Sequence, residues 1–79
     1  MKFGETIKKL RKAKNLSLSD VSKQTGIQLA TLSRIEHNKM AGTLQAHEKI
    51  AEVLGLKLST LFEKYEKDST KLTLIRSRQ

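Results

Sequence analysis

Between residues 18 and 37, two apolar blocks at helical spacing are parted by only three residues, Thr25-Gly26-Ile27. So short a turn makes two helices cross and bury the side chains that face each other. Val21, Ile27, Leu32 and Ile35 fall where that contact must form, and Ser22 is small where the helices come close. Gly26 is free to take positive φ in the turn. Ser17 fits the N-cap of the first helix, with Asp20 completing a capping box. Asn38 stands where a left-handed C-cap would close the second, at about 28–37.

The rest of the chain supplies three more helices. Phe3, Ile7, Leu10 and Ala13 recur at helical spacing, with Lys8, Lys9, Arg11, Lys12 and Lys14 between them. This predicts an amphipathic helix over about 2–14, broken at Asn15 and Leu16. The helix opened by Ser17 should run to about Gln24. Thr43 is placed to cap a fourth helix carrying Leu44, Ile50, Ala51, Val53 and Leu54, with Gly55 ending it. Ser59 or Thr60 is placed to cap a fifth, with Leu61, Phe62 and Tyr65 inward and Thr60–Glu63 as a capping box. There is no proline to interrupt these blocks, and 79 residues suffice for one domain. The expectation is an all-α, five-helix domain over residues 1–67 with a short C-terminal tail or strand over 68–79. In that tail Lys71 to Arg76 is β-prone, and a lone strand is not stable. It reads as a disordered tail, a strand paired with its twin in a dimer, or a linker.

Several chemistries find no residues to carry them. Cysteine is absent, and His37 and His47 sit in no ligand cluster, so no metal site and no cofactor is expected. Asp20 and Glu36 each have a structural task, and no phosphate loop or nucleophile motif occurs, so no catalytic residue and no enzyme activity is expected. No run approaches the roughly 18 apolar residues of a membrane span, and Met1 to Glu5 lacks a signal peptide's apolar core. A cytoplasmic, nucleoid-associated protein without a membrane partner is expected. The net charge of +8 is unevenly placed. Residues 1–39 hold nine basic and three acidic side chains, residues 40–68 four and five, and the tail adds three basic ones. A one-sided basic field suits a polyanion such as nucleic acid.

The spacing of residues 18–37 resembles the helix-turn-helix of the phage-repressor-like (Cro/C1, or XRE) family. The resemblance extends over about residues 3–64. It includes Leu10-Arg11-Lys12, Leu16-Ser17, Thr25-Gly26-Ile27, Leu32-Ser33-Arg34-Ile35-Glu36, Lys39, Ile50-Ala51, Leu54-Gly55, Leu58 and Leu61-Phe62-Glu63. It implies a five-helix fold whose third helix enters the major groove of double-stranded DNA. It also implies transcription regulation, usually repression, by a homodimer on a pseudo-palindrome. At about 100° per residue, burying Leu32 and Ile35 turns Ala30, Ser33, Arg34 and His37 outward, with Leu29 and Thr31 at the edges. The base-contacting candidates are therefore Gln28, Leu29, Ala30, Thr31, Ser33 and Arg34. Arg34 has the geometry for a bidentate contact to guanine, whereas Leu29 and Ala30 offer only apolar contact to thymine methyls. The phosphate-contacting candidates are Lys12, Lys14, Ser17, Leu18 and Lys39. Family members often carry Gln where this chain has Leu18, and leucine cannot clamp a phosphate. Arg11 and Glu36 match a pair that forms an internal salt bridge in the family.

Two other readings keep the same fold. One is a DNA-binding antitoxin whose main partner is a toxin protein. The other is the isolated DNA-binding domain of a longer regulator. A homodimer is expected to form through Leu56, Leu58, Leu61, Phe62 and Tyr65, with Leu72 to Ile75 behind them.

Overall fold

Each helix of the computed structural model, which describes residues 2–68, starts or stops where a local signal dictates. α1 spans Phe3–Ala13 and ends at Asn15, whose φ is 58°. α2 spans Leu18–Thr25 behind a complete capping box: Ser17 Oγ accepts from Asp20 N–H at 3.0 Å, and the Asp20 carboxylate accepts from Ser17 N–H at 2.8 Å. Donation from the Ser17 N–H, and from the Ser17 hydroxyl, holds the Asp20 carboxyl below its ordinary pKa. α3 spans Leu29–Glu36 and closes on Asn38, φ 60°. α4 spans Leu44–Val53, with Thr43 Oγ1 accepting from Ala46 N–H and Gly55 turning left-handed behind it. α5 spans Leu58–Asp68.

The start of α5 differs from the sequence expectation. The Lys57 carbonyl already accepts from Leu61 N–H, so Ser59 and Thr60 lie inside the first turn instead of capping it. Of the expected tail over 68–79, Asp68 ends α5 and the remainder lies outside the described residues.

The helices pack in a closed ring: α1 on α3, α3 on α2, α2 on α4, α4 on α5 and α5 on α1. Every helix contributes to the common core of Ile7, Val21, Leu32, Ile35, Ile50, Ala51, Leu54 and Leu61. Three apolar assignments do not hold. Ala13 is exposed, because the buried face of α1 is made by Gly4, Thr6, Ile7 and Arg11. Leu44 is 64% exposed in the first turn of α4, and Phe62 is 37% exposed. Among the described residues, no helix is long and apolar enough to cross a membrane, and no three metal-ligating side chains gather.

The junction of α1, α4 and α5 is filled by rings. Phe3 stacks on Phe62 with centroids 5.2 Å apart, and meets Tyr65 and His47 edge-on at 5.3 and 4.9 Å. Burial among them lowers the His47 pKa from its ordinary 6.5. The unfolded chain then binds more protons than the folded one in the window just below 6.5, so stability must fall as pH drops through it. We expect Tm to decline from about pH 7.5 to about pH 5, and His47→Leu to remove part of that decline. The same Tm–pH slope in the variant would show that His47 titrates freely.

Candidate nucleic-acid interface

The turn between α2 and α3 is held by three side-chain hydrogen bonds. Ser22 Oγ donates to the Ile27 carbonyl at 2.5 Å, spanning the turn. Thr25 Oγ1 donates to the Val21 carbonyl at 2.7 Å and accepts from Ile27 N–H at 3.1 Å. Gly26 takes φ 76° with no atom within 4 Å of where a Cβ would stand, so it is required for its backbone angle and not for space. The roles of Ser22 and Thr25 as braces were not anticipated. The signal was available, since hydroxyl side chains bond local backbone at turns.

The far end of α3 is fixed to α1. Arg11 Nε and Nη2 donate to the two Glu36 carboxylate oxygens at 2.6 and 3.0 Å, and Arg11 Nη1 donates to the Leu16 carbonyl at 2.7 Å. Both side chains are buried. The bond to Glu36 raises the Arg11 pKa, outweighing the opposing effect of burial. Asn38 Oδ1 accepts from Gly4 N–H at 3.0 Å. A Cβ on Gly4 would run into the Ile35 and Glu36 carbonyls, so only glycine lets the start of α1 approach the end of α3 this closely.

With Leu32, Ile35 and Glu36 buried, the other side of α3 faces out. Gln28, Leu29, Ala30 and Arg34 are exposed, while Thr31 and Ser33 are partly covered. Leu29 is 47% exposed, a large apolar side chain presented to solvent on that face. His37 Nδ1 bonds the Ser33 carbonyl at 2.8 Å, which ties it to its own helix.

The phosphate candidates divide. Lys12 and Lys39 are exposed. Ser17 is exposed at the start of α2, with both its N–H and its hydroxyl engaged by Asp20. Leu18 is half-buried and packs against the core. Lys14 leans the other way: its Nζ lies 3.1 Å from the position of a Cβ on Gly55, beyond the end of α4. An ammonium there suits the negative end of the α4 dipole.

Residues 6–67 match the model of the Cro/C1-type HTH DNA-binding domain. The chain is 38% identical over 69 residues to the HTH-type transcriptional regulator SinR of Bacillus licheniformis, covering 86% of this chain and 60% of that protein. It therefore spans about three fifths of that relative's length. It is 39% identical over 69 residues to the control protein C.MunI of Mycoplasma sp, covering 86% of this chain and 93% of that one. Among solved structures it is similar to the biofilm master regulator SinR in complex with DNA, at TM-score 0.71 and 35% identity over 77% of this chain and 98% of that one. It is also similar to the SinR/SinI complex, at TM-score 0.74 and 31% identity over 98% of this chain and 78% of that one.

Proposed function

The chain belongs to the Cro/C1-type helix-turn-helix DNA-binding family, and on that premise we propose that it binds duplex DNA sequence-specifically to regulate transcription, α3 lying in the major groove. The observation that carries this is the division of labour on α3. One side is locked by Leu32, Ile35 and Glu36, and the other presents Gln28, Leu29, Ala30 and Arg34 free of core contacts. A rigid helix with an unsatisfied outer face is what groove reading requires. Lys12, Ser17 and Lys39 would fix its register on phosphates, and base edges would supply the discrimination. Repression follows where the site overlaps a promoter.

One such helix reads only a few base pairs, so we take the acting species to be a homodimer. Leu61 is consumed by the monomer core, while Phe62 leaves exposed apolar surface on α5 for a second copy. The functional setting is the cytoplasm, on the nucleoid, and the activity is binding without catalysis.

Replacing Arg34 by alanine tests the reading directly. The side chain is exposed and faces away from Leu32 and Ile35, so the fold should persist. Specific binding should weaken by about 1–3 kcal/mol, with relaxed preference at one base position. Binding of a selected duplex and of single-base variants, followed by fluorescence anisotropy, provides the check. A loss equal on every sequence would make Arg34 a phosphate contact, and no loss would remove it from the interface.

A further inference from the structure

Among the described residues, Leu29 is the large apolar side chain that α3 leaves exposed, at 47%, while Leu32 and Ile35 on the same helix are 2% and 3% exposed. It stands in the first turn, and the N-terminal residues of a recognition helix are the ones that meet base edges. Its backbone is fixed on both sides. Ser22 Oγ and Thr25 Oγ1 brace the turn that leads into it, and the Gln28 carbonyl accepts from Leu32 N–H at 3.0 Å. Ala30 beside it is exposed as well. The leading turn of α3 therefore presents a positioned apolar surface that the core does not use.

The chemistry of the groove narrows what such a surface can read. Base edges there carry N7, O6, O4, N4 and N6, all of them polar, and one apolar group, the C5 methyl of thymine. Leucine can neither donate nor accept. Laid over an amino group or a carbonyl, it strips water from that group and returns no hydrogen bond. Laid over a methyl group, it removes apolar surface from water on both sides, which is favourable. Cytosine carries only hydrogen at C5, whereas 5-methylcytosine carries the methyl group of thymine at the same ring position. Resting on the reading of α3 as the groove helix, we propose that Leu29 recognises the C5 methyl group of a pyrimidine. The domain then separates thymine and 5-methylcytosine from uracil and cytosine. A site with cytosine at that position is bound more tightly once it is methylated, so DNA methylation controls its occupancy.

The test uses the duplex that the full chain selects from a random pool, remade with uracil for thymine at one position at a time. This exchange removes a methyl group and leaves the base pairing unaltered. One position in each half-site should lose about 4-fold in affinity, the value of one buried methyl group. It should differ from the position that Arg34→Ala relaxes. Cytosine and 5-methylcytosine placed there, each opposite guanine, should differ by the same factor in favour of the methylated base. Leu29→Ala should keep its fold, since the side chain is half exposed, and should bind the two members of each pair alike. Uracil tolerated at every position would overturn the assignment. A methyl effect undiminished in Leu29→Ala would overturn the role of Leu29, and no gain from 5-methylcytosine would overturn the link to methylation. A chain that selects no sequence at all overturns the functional reading and the proposal together. A chain that selects a duplex but ignores its methyl groups overturns the proposal alone.

Discussion

Glu36→Ala is expected to destabilise the domain by about 3–5 kcal/mol, a large share of the roughly 5–15 kcal/mol that a domain has. The cost does not equal the strength of the ion pair. It comes from leaving the Arg11 guanidinium, 8% exposed, with only the Leu16 carbonyl to satisfy it. The pair itself is worth little against an apolar replacement of similar volume. The double variant Arg11→Met/Glu36→Leu should therefore be far more stable than either single change. For a domain of this size, Tm should fall by about 4–8 °C per kcal/mol, which thermal unfolding resolves easily. An unchanged Tm in Glu36→Ala would mean that the two-point bond between α1 and α3 contributes nothing to folding. A loss in the double variant equal to the sum of the singles would show that the two residues act independently.

DNA binding is expected to weaken by on the order of 10³–10⁵ between about 50 and 200 mM salt, if a dimer makes about 6–10 phosphate contacts. Each contact releases condensed counterions, so the logarithm of affinity falls linearly with the logarithm of salt. The chain is built for this term, with +8 overall and nine basic against three acidic residues before position 40. Lys12, Arg34 and Lys39 are all exposed in that half. Direct readout looks lean by comparison, because Leu29 and Ala30 offer thymine methyls nothing but apolar contact. Anisotropy titrations across the salt range measure the slope. Substituting Lys39 should reduce it by about one unit if that residue touches phosphate. A flat response would exclude a phosphate-tracking interface.

What could be read from the sequence depended on how far along the chain each cause acts. The Ser17–Asp20 box, the left-handed turns at Gly26 and Asn38 and the Thr43 cap each depend on a few neighbouring residues, and all were legible. The outer face of α3 followed from helical period once Leu32 and Ile35 were placed inside. The approach of Gly4 to Asn38 was not legible, because it joins residues 34 apart and involves a backbone amide that no pattern marks. The ring cluster of Phe3, His47, Phe62 and Tyr65 draws on three helices, and periodicity within one helix cannot say which rings meet. Leu44 shows the opposite failure. It shares a stripe with His47, Ala51 and Leu54, yet it is left mostly exposed one turn before the packed part of the helix. That Lys14 Nζ lies beside Gly55, beyond the end of α4, joins residues 41 apart and was likewise not legible.

Whether α3 reads a specific duplex sequence as one half of a two-fold pair is tested by selection of bound duplexes from a random pool by the full chain, followed by footprinting of the winners. A pseudo-palindrome should be enriched whose half-sites lie about 34–36 Å apart, one turn of the double helix, with protection in the major groove at each half-site. Arg34→Ala should relax the same one position in both halves. Enrichment of no sequence beyond the starting pool, or protection without major-groove contacts, would contradict that reading.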